Sequence, residues 1–201
     1  MRTEYKKTVK WVTIEPGEYF ASREKIIIAT LLGSCISACL WDPIHKISGM
    51  NHFLLSSRHY NKNSPICVSE AGRYGIHAME LVINNMLKLG ANKRYFKAKV
   101  FGGGNVLNIS APTSNFFNVG DVNIRFIKEF LNTEKIPIVA SDLGGEFGRI
   151  IRFDTNSNNV FVRKIKSVDT TQIKTIEQNY LEKSIKEQDV LESSNNNINL
   201  W

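Results

Sequence analysis

Cys35 and His52 are the two side chains whose type and surroundings could do chemistry. Cys35 ends a Gly33-Ser34-Cys35 step between two apolar runs, one built on Ile26, Ile27 and Ile28 and the other running from Ile36 to Trp41. After a turn at Asp42-Pro43 a third run carries His52. A thiol at a glycine-marked kink between extended segments, with an imidazole on the next strand, is a layout for a cysteine nucleophile and its base. Gly33 lets the backbone kink or come close to a ligand. Free backbone N–H groups beside a nucleophile on a sharp turn follow the elbow arrangement of hydrolases. Antiparallel pairing across the Asp42-Pro43 turn would bring ring and thiol together.

The same residues have plainer readings. Unpaired cysteine is among the most buried residue types, and a histidine on an apolar strand is often a hydrogen-bonded core residue. Cys39 has no glycine-marked setting and reads as core, and Cys67, at a loop–helix boundary, is assigned no role. A zinc site from Cys35, Cys39, His45 and His52 matches no finger or ribbon spacing. The glycines at 102–104, 144, 145 and 148 form no phosphate-binding motif and read as tight turns at sheet ends. A functional reading of Gly103-Gly104-Asn105 would have them shape a narrow groove.

The elements that must position the pair follow from periodicity. A short strand around 11–15 precedes three extended segments at 26–32, 35–41 and 47–55. A polar loop at 56–68 leads to Ser69-Glu70, which open a helix over 71–89 with Ile76, Met79, Val82, Ile83, Met86 and Leu87 on one face and Gly90 as its stop. Residues 95–101 alternate like a strand. A loop at 110–118 precedes a second helix over 120–131. Residues 136–140 read as a strand and 142–148 as a turn-rich loop. Strands 149–154 and 160–165 close a hairpin across Thr155–Asn159. The expected organisation is a single domain over 1–166 and a polar, flexible tail over 167–201. In that tail Ile173, Ile176, Tyr180 and Leu181 give only a faint helical face.

With 201 residues, 42% hydrophobic and 22% charged, the chain is sized and composed for one globular domain. Its first residues are polar and lack a signal peptide's apolar core, and no apolar run is long enough to span a membrane. Three cysteines without framework spacing argue against a disulfide-stapled secreted domain. The expectation is a cytoplasmic protein. Residues 168–201 hold three Lys against six Asp and Glu, a net of −3, so the whole-chain +7 leaves +10 on residues 1–167. The basic residues are scattered, without the aromatic interleaving of single-strand binders, so an acidic protein partner fits this charge better than nucleic acid.

Several segments, in order, resemble the chemoreceptor glutamine deamidase CheD family of bacterial chemotaxis: TLLGSCISACLWDP, KISGMNHFLL, AGRYGIHAMELVINNMLKLGA, KAKVFGGGNVL, NVGDVNIRFIKEFL and IPIVASDLGGEFGRIIRFDT. The likeness spans about residues 12–166. It implies an α+β fold of packed β-sheets flanked by helices, like that of the cytotoxic necrotizing factor toxins. It also implies a cysteine amidohydrolase that converts receptor glutamines to glutamate without metal or organic cofactor. The family's nucleophile falls on Cys35 and its base on His52, with Gly33 and Ser34 beside the oxyanion. Its third member, a threonine just upstream of G-S-C, falls on Thr30, although register leaves Ala29 as the competing position. Neighbouring strand positions face opposite sides, so one residue of shift decides whether Thr30 takes part. The implied partners are methyl-accepting chemotaxis receptors and the CheC phosphatase, and the alternative function is a regulatory binding module with little catalysis.

Overall fold

The computed structural model describes residues 1–55, 66–106 and 119–165, together with 173, 175–180, 182 and 183 of the tail. Residues 56–65 of the loop expected at 56–68, the loop at 110–118 and the rest of the tail lie outside the described residues. The architecture is α+β. One five-stranded sheet runs in the order β1 (Arg2–Lys6), β2 (Val9–Thr13), β4 (Ile27–Leu32), β9 (Gly148–Asp154), β10 (Asn159–Ile165). The other runs β3 (Tyr19–Ser22), β6 (Ile47–Asn51), β5 (Ile36–Asp42), β7 (Lys97–Gly102), β8 (Ile138–Leu143). Helices α1 (Glu70–Lys88) and α2 (Val119–Thr133) pack on the second sheet against β3, β5, β6 and β7.

This stack of sheet, sheet and helices explains the chain's patterning. Strand β5 is buried along its whole length because both its faces are covered, hence an apolar run from Ile36 to Trp41 interrupted by Ser37 alone. Ile36, Ala38 and Leu40 face the helices, while Cys35, Cys39 and Trp41 face the first sheet. On β4, Ile28 and Leu32 enter that same inter-sheet core, so Thr30 between them points inward and Ala29 outward. The stripe Met79, Val82, Ile83 and Met86 of α1 is buried as its helical spacing predicts. The Ser69 side chain caps that helix by accepting from the Gly72 N–H.

The N-terminal lead-in forms β1, paired antiparallel with β2, and residues after Pro16-Gly17 form β3 on β6. Both are short edge strands without a strong alternating signal. Strand β8 lies at 138–143 rather than 136–140. Ile136 is buried under the helices instead, and polar Ser141 and Asp142 tolerate an edge position where Asp142 pairs with Arg149 at 2.7 Å.

Candidate active site between the sheets

The two sheets meet around a buried constellation. Strands β5 and β6 are antiparallel, and a bridge between Ile36 and Phe53 carries their pairing past the end of β6. Cys35 and His52 thus flank this bridge, both essentially inaccessible. The Cys35 sulfur, a His52 ring nitrogen and a carboxylate oxygen of Glu177 all lie within 4.8 Å of one another. The His52 backbone is pinned by the lead-in to β3. Its N–H donates to the Glu18 carbonyl at 2.9 Å, and its carbonyl accepts from Gly17 at 2.8 Å.

Thr30 stands on the other sheet. Its Oγ1 is 2.7 Å from His52 Nδ1 and 2.7 Å from the Ile14 carbonyl oxygen. A carbonyl only accepts, so the single hydroxyl proton goes to Ile14 and Nδ1–H donates to Thr30. That tautomer leaves the lone pair on Nε2, which is buried and has no hydrogen-bond partner among the described residues. Position 30 therefore meets the histidine, resolving the register that the sequence leaves open between Ala29 and Thr30.

The Gly33–Cys35 backbone forms an anion nest. Gly33 N–H (2.7 Å) and Cys35 N–H (3.1 Å) donate to Glu177 Oε1, while Ser34 N–H (2.8 Å) and Ser34 Oγ (2.7 Å) donate to Oε2. The opposing carbonyls are held from behind. Gly104 N–H donates to the Gly33 carbonyl at 2.7 Å and Gly103 N–H to that of Cys35 at 2.8 Å. Asn123 Nδ2 of α2 donates to the Ser34 carbonyl at 3.0 Å, and its Oδ1 accepts from Leu55 N–H at 2.8 Å. The glycine run at 102–104 is thus more than a turn. Gly102, at φ +114°, lies so close that an added Cβ would sit 2.1 Å from the Cys35 carbonyl oxygen.

Electrostatics describe a closed, uncharged pair. Burial pushes the Cys35 thiol well above its ordinary value, and the charge and hydrogen bond of Glu177 push the same way. Burial holds His52 down to about 4, despite the opposing charges of Glu177 and Glu18. The sequence reading makes His52 the base for Cys35; in this arrangement the thiol is held protonated, because the pair is buried and faces a carboxylate.

The other sequence candidates do not join the site. Cys39 belongs to the inter-sheet core. His45, in the turn, bonds Asp42 at 2.6 Å and leans on Tyr95. Among the described residues Cys35, His52 and Glu177 are the one group with metal-ligand spacing. Both oxygens of Glu177, however, already accept from N–H and O–H donors, a pattern that serves an anion and not a cation.

Two residues escaped the sequence reading. Asn123 lies within the apolar stripe of α2, between Val122 and Phe126, and a lone amide in such a stripe is the signal it offered. Glu177 occurs between Ile173 and Tyr180 at helical i, i+4, i+7 spacing.

The family described as CheD chemotactic sensory transduction matches residues 54–164. The Geobacter sulfurreducens protein named "Probable chemoreceptor glutamine deamidase CheD 1" is 45% identical over 190 residues, covering 94% of this chain and 93% of its own. About a dozen residues remain unmatched, so positions 35, 52 and 177 fall inside that span wherever those residues sit. A Shewanella oneidensis protein of the same name is 46% identical over 169 residues, covering 84% of this chain and 79% of its own. A Methylobacillus flagellatus "Probable chemoreceptor glutamine deamidase CheD" is 41% identical over 168 residues, covering 83% and 80%. Among solved structures, the Bacillus licheniformis hypothetical protein YfiH overlaps 63% of this chain and 51% of its own at TM-score 0.37 and 13% identity, too distant to carry weight. With the relatives matched across nearly the whole chain, site included, the protein belongs to the CheD family.

Proposed function

We propose that the chain is a chemoreceptor glutamine deamidase, hydrolysing selected glutamine side chains of methyl-accepting chemotaxis receptors to glutamate and ammonia. One observation carries this reading: a glutamate side chain rests in the Gly33–Cys35 nest beside the Cys35 thiol and His52 ring. A glutamine carboxamide laid there places its carbonyl oxygen against the backbone N–H donors and its Cδ next to the sulfur.

The geometry supports the following roles. His52 Nε2 takes the thiol proton, and the sulfur adds to the amide carbon. The N–H groups of the nest stabilise the oxyanion. The imidazolium returns its proton to the departing nitrogen, releasing ammonia and leaving a thioester. Water, deprotonated by His52, then hydrolyses the thioester to the glutamate carboxylate and regenerates the thiol. Thr30 holds the ring in the tautomer that keeps Nε2 free, as the third member of a triad does. The residues assigned are Cys35 as nucleophile, His52 as base and acid, Thr30 as positioning residue, and Gly33 and Ser34 as oxyanion donors.

The proposed place of action is the cytoplasmic domain of the receptor, with residues 1–166 as the catalytic unit. The CheC phosphatase is proposed as a second partner on the family resemblance alone, and co-purification of the two tests it. A regulatory role is favoured by one observation, the buried and deactivated thiol. Incubation with a purified receptor cytoplasmic domain, with Gln-to-Glu conversion mapped by mass spectrometry, separates the readings. Conversion by the wild type and none by Cys35→Ala is expected. Cellular effects fully retained by Cys35→Ala would favour the regulatory module.

A further inference from the structure

The deamidase cleft is filled by the chain itself. The described tail residues are helical, and three of them on one helical face make the contacts. Ile173 is buried, and Glu177 is buried among the donors of the nest. Tyr180 lies against Gly17, where an added Cβ would sit 2.6 Å from its hydroxyl. Gly33 and Gly148 make room for this helix. A Cβ on Gly33 would stand 2.8 Å from Glu177 Oε2 and 2.8 Å from Ile173 Cγ2, and one on Gly148 would stand 2.5 Å from Ile173 Cδ1. Beside His52 a cavity of about 260 Å³ opens between the β3 lead-in, α1 and Tyr180.

We infer that the C-terminal helix is an in-cis product mimic, with Glu177 docked as the glutamate side chain that the reaction leaves behind, so that a receptor segment must displace the tail to be modified. The inference rests on the deamidase reading for the word product, but not for the docking. Each carboxylate oxygen is held by two donors, as a product carboxylate would be held after thioester hydrolysis. The charge balance agrees: residues 168–201 carry a net −3 and residues 1–167 a net +10. The docked carboxylate does more than fill space. It excludes water and opposes charge on the thiol, so the nucleophile is masked chemically as well as sterically. Displacement by substrate removes both effects at once, which couples activation to occupancy by a receptor.

The fold supplies its own probe. In a full-length Glu177→Gln variant the carboxamide is delivered to Cys35 by the tail. The same balanced chemistry, water consumed and ammonia released, would restore glutamate at this position. Peptide mass spectrometry of the purified variant is expected to show Gln-to-Glu conversion at 177 with first-order kinetics independent of protein concentration. The double variant with Cys35→Ala is expected to show none.

A second measurement does not depend on catalysis: the rate of Cys35 alkylation by iodoacetamide in full-length wild type and Glu177→Ala. Loss of the charged partner is expected to speed alkylation about tenfold or more, since hydrogen bonds to a charged carboxylate are the strong ones and four of them hold Glu177 over the thiol. Equal alkylation rates overturn the docking. Faster alkylation, without conversion at 177 or of receptor, keeps the docking and sinks the deamidase reading. Receptor conversion with equal alkylation rates does the opposite.

Discussion

Thr30 and His52 face each other across the gap between the two sheets, with Oγ1 and Nδ1 2.7 Å apart and both side chains buried. No pairing within a single sheet could set this contact. It depends on how the first sheet stacks on the second. The Thr30 proton is committed to the Ile14 carbonyl, so the histidine has one way to bond and its tautomer is fixed by the end of β2.

Thr30→Val is therefore expected to keep the fold while freeing the ring. It strands the Ile14 carbonyl and the His52 Nδ1–H, a cost of about 1–3 kcal/mol per unsatisfied buried group. It is also expected to lower kcat by roughly 10²-fold, the low end of what a positioned acid–base group contributes. KM for receptor should be little changed, and Thr30→Ser should recover most of kcat. A purely structural threonine would instead lower stability without this kcat-specific loss and serine rescue.

Much of this architecture was legible in the chain. The largely apolar run of β5, the stripe of α1 and the hairpin around Thr155–Asn159 are all plain in the residue pattern. So is the Cys35 and His52 setting, because a thiol after Gly33-Ser34 breaks an otherwise apolar pattern. The edge strands β1 and β3 were not legible. Both are short; β1 is mostly exposed and so has no buried face to mark it, and β3 takes its pairing from β6, distant in sequence. Glu177 was hidden for a different reason. Its helix is polar on most sides, and its burial depends on a nest of backbone donors 142–144 residues away, which no local pattern encodes.

Stability should fall on both sides of a neutral plateau. His52 has its folded pKa held down to about 4 by burial, against an ordinary 6.5, so the unfolded chain binds the proton first. Its contribution is complete above pH 6.5 and is lost as pH falls toward 4. Cys35, pushed above its ordinary 9.0 by burial and Glu177, contributes fully below pH 9 and loses that contribution as pH rises further. Glu18 and Asp42, held below the ordinary carboxylate range by hydrogen bonds despite burial, act lower on the acid side. Urea unfolding from pH 4 to 10 should show this dome, and His52→Asn should flatten the stretch between pH 6.5 and 5. An unchanged acid limb in that variant would mean the ring is not buried neutral.

Asn123 bridges α2 to both halves of the site, holding the Ser34 carbonyl with one end and the Leu55 N–H with the other. Asn123→Ala strands both partners in a buried setting, so a loss of about 2–4 kcal/mol is expected. Activity should fall further than stability alone explains, because the Ser34 peptide is part of the nest. Assaying residual kcat well below the unfolding midpoint separates the two effects.

Gly102 is the most restrictive position behind the nucleophile. Its φ of +114° disfavours any side chain, and an added Cβ would meet the backbone oxygen of Cys35 at 2.1 Å. The obstruction is main chain, which cannot rotate away as a side-chain tip would. Gly103 N–H holds the same oxygen at 2.8 Å, so the peptide is clamped where the clash falls. Gly102→Ala is expected to cost about 2–5 kcal/mol, combining backbone strain with overpacking. Any folded fraction must shift Cys35 relative to His52, and reacting groups displaced by about 1 Å lose on the order of 10²-fold in rate. Gly145→Ala is the matched control, since its φ of +76° carries strain while its Cβ position has no neighbour within 4 Å among the described residues. A smaller stability loss and near-normal deamidation there, beside a crippled Gly102→Ala, would show that contact with Cys35 and not backbone strain makes this glycine necessary.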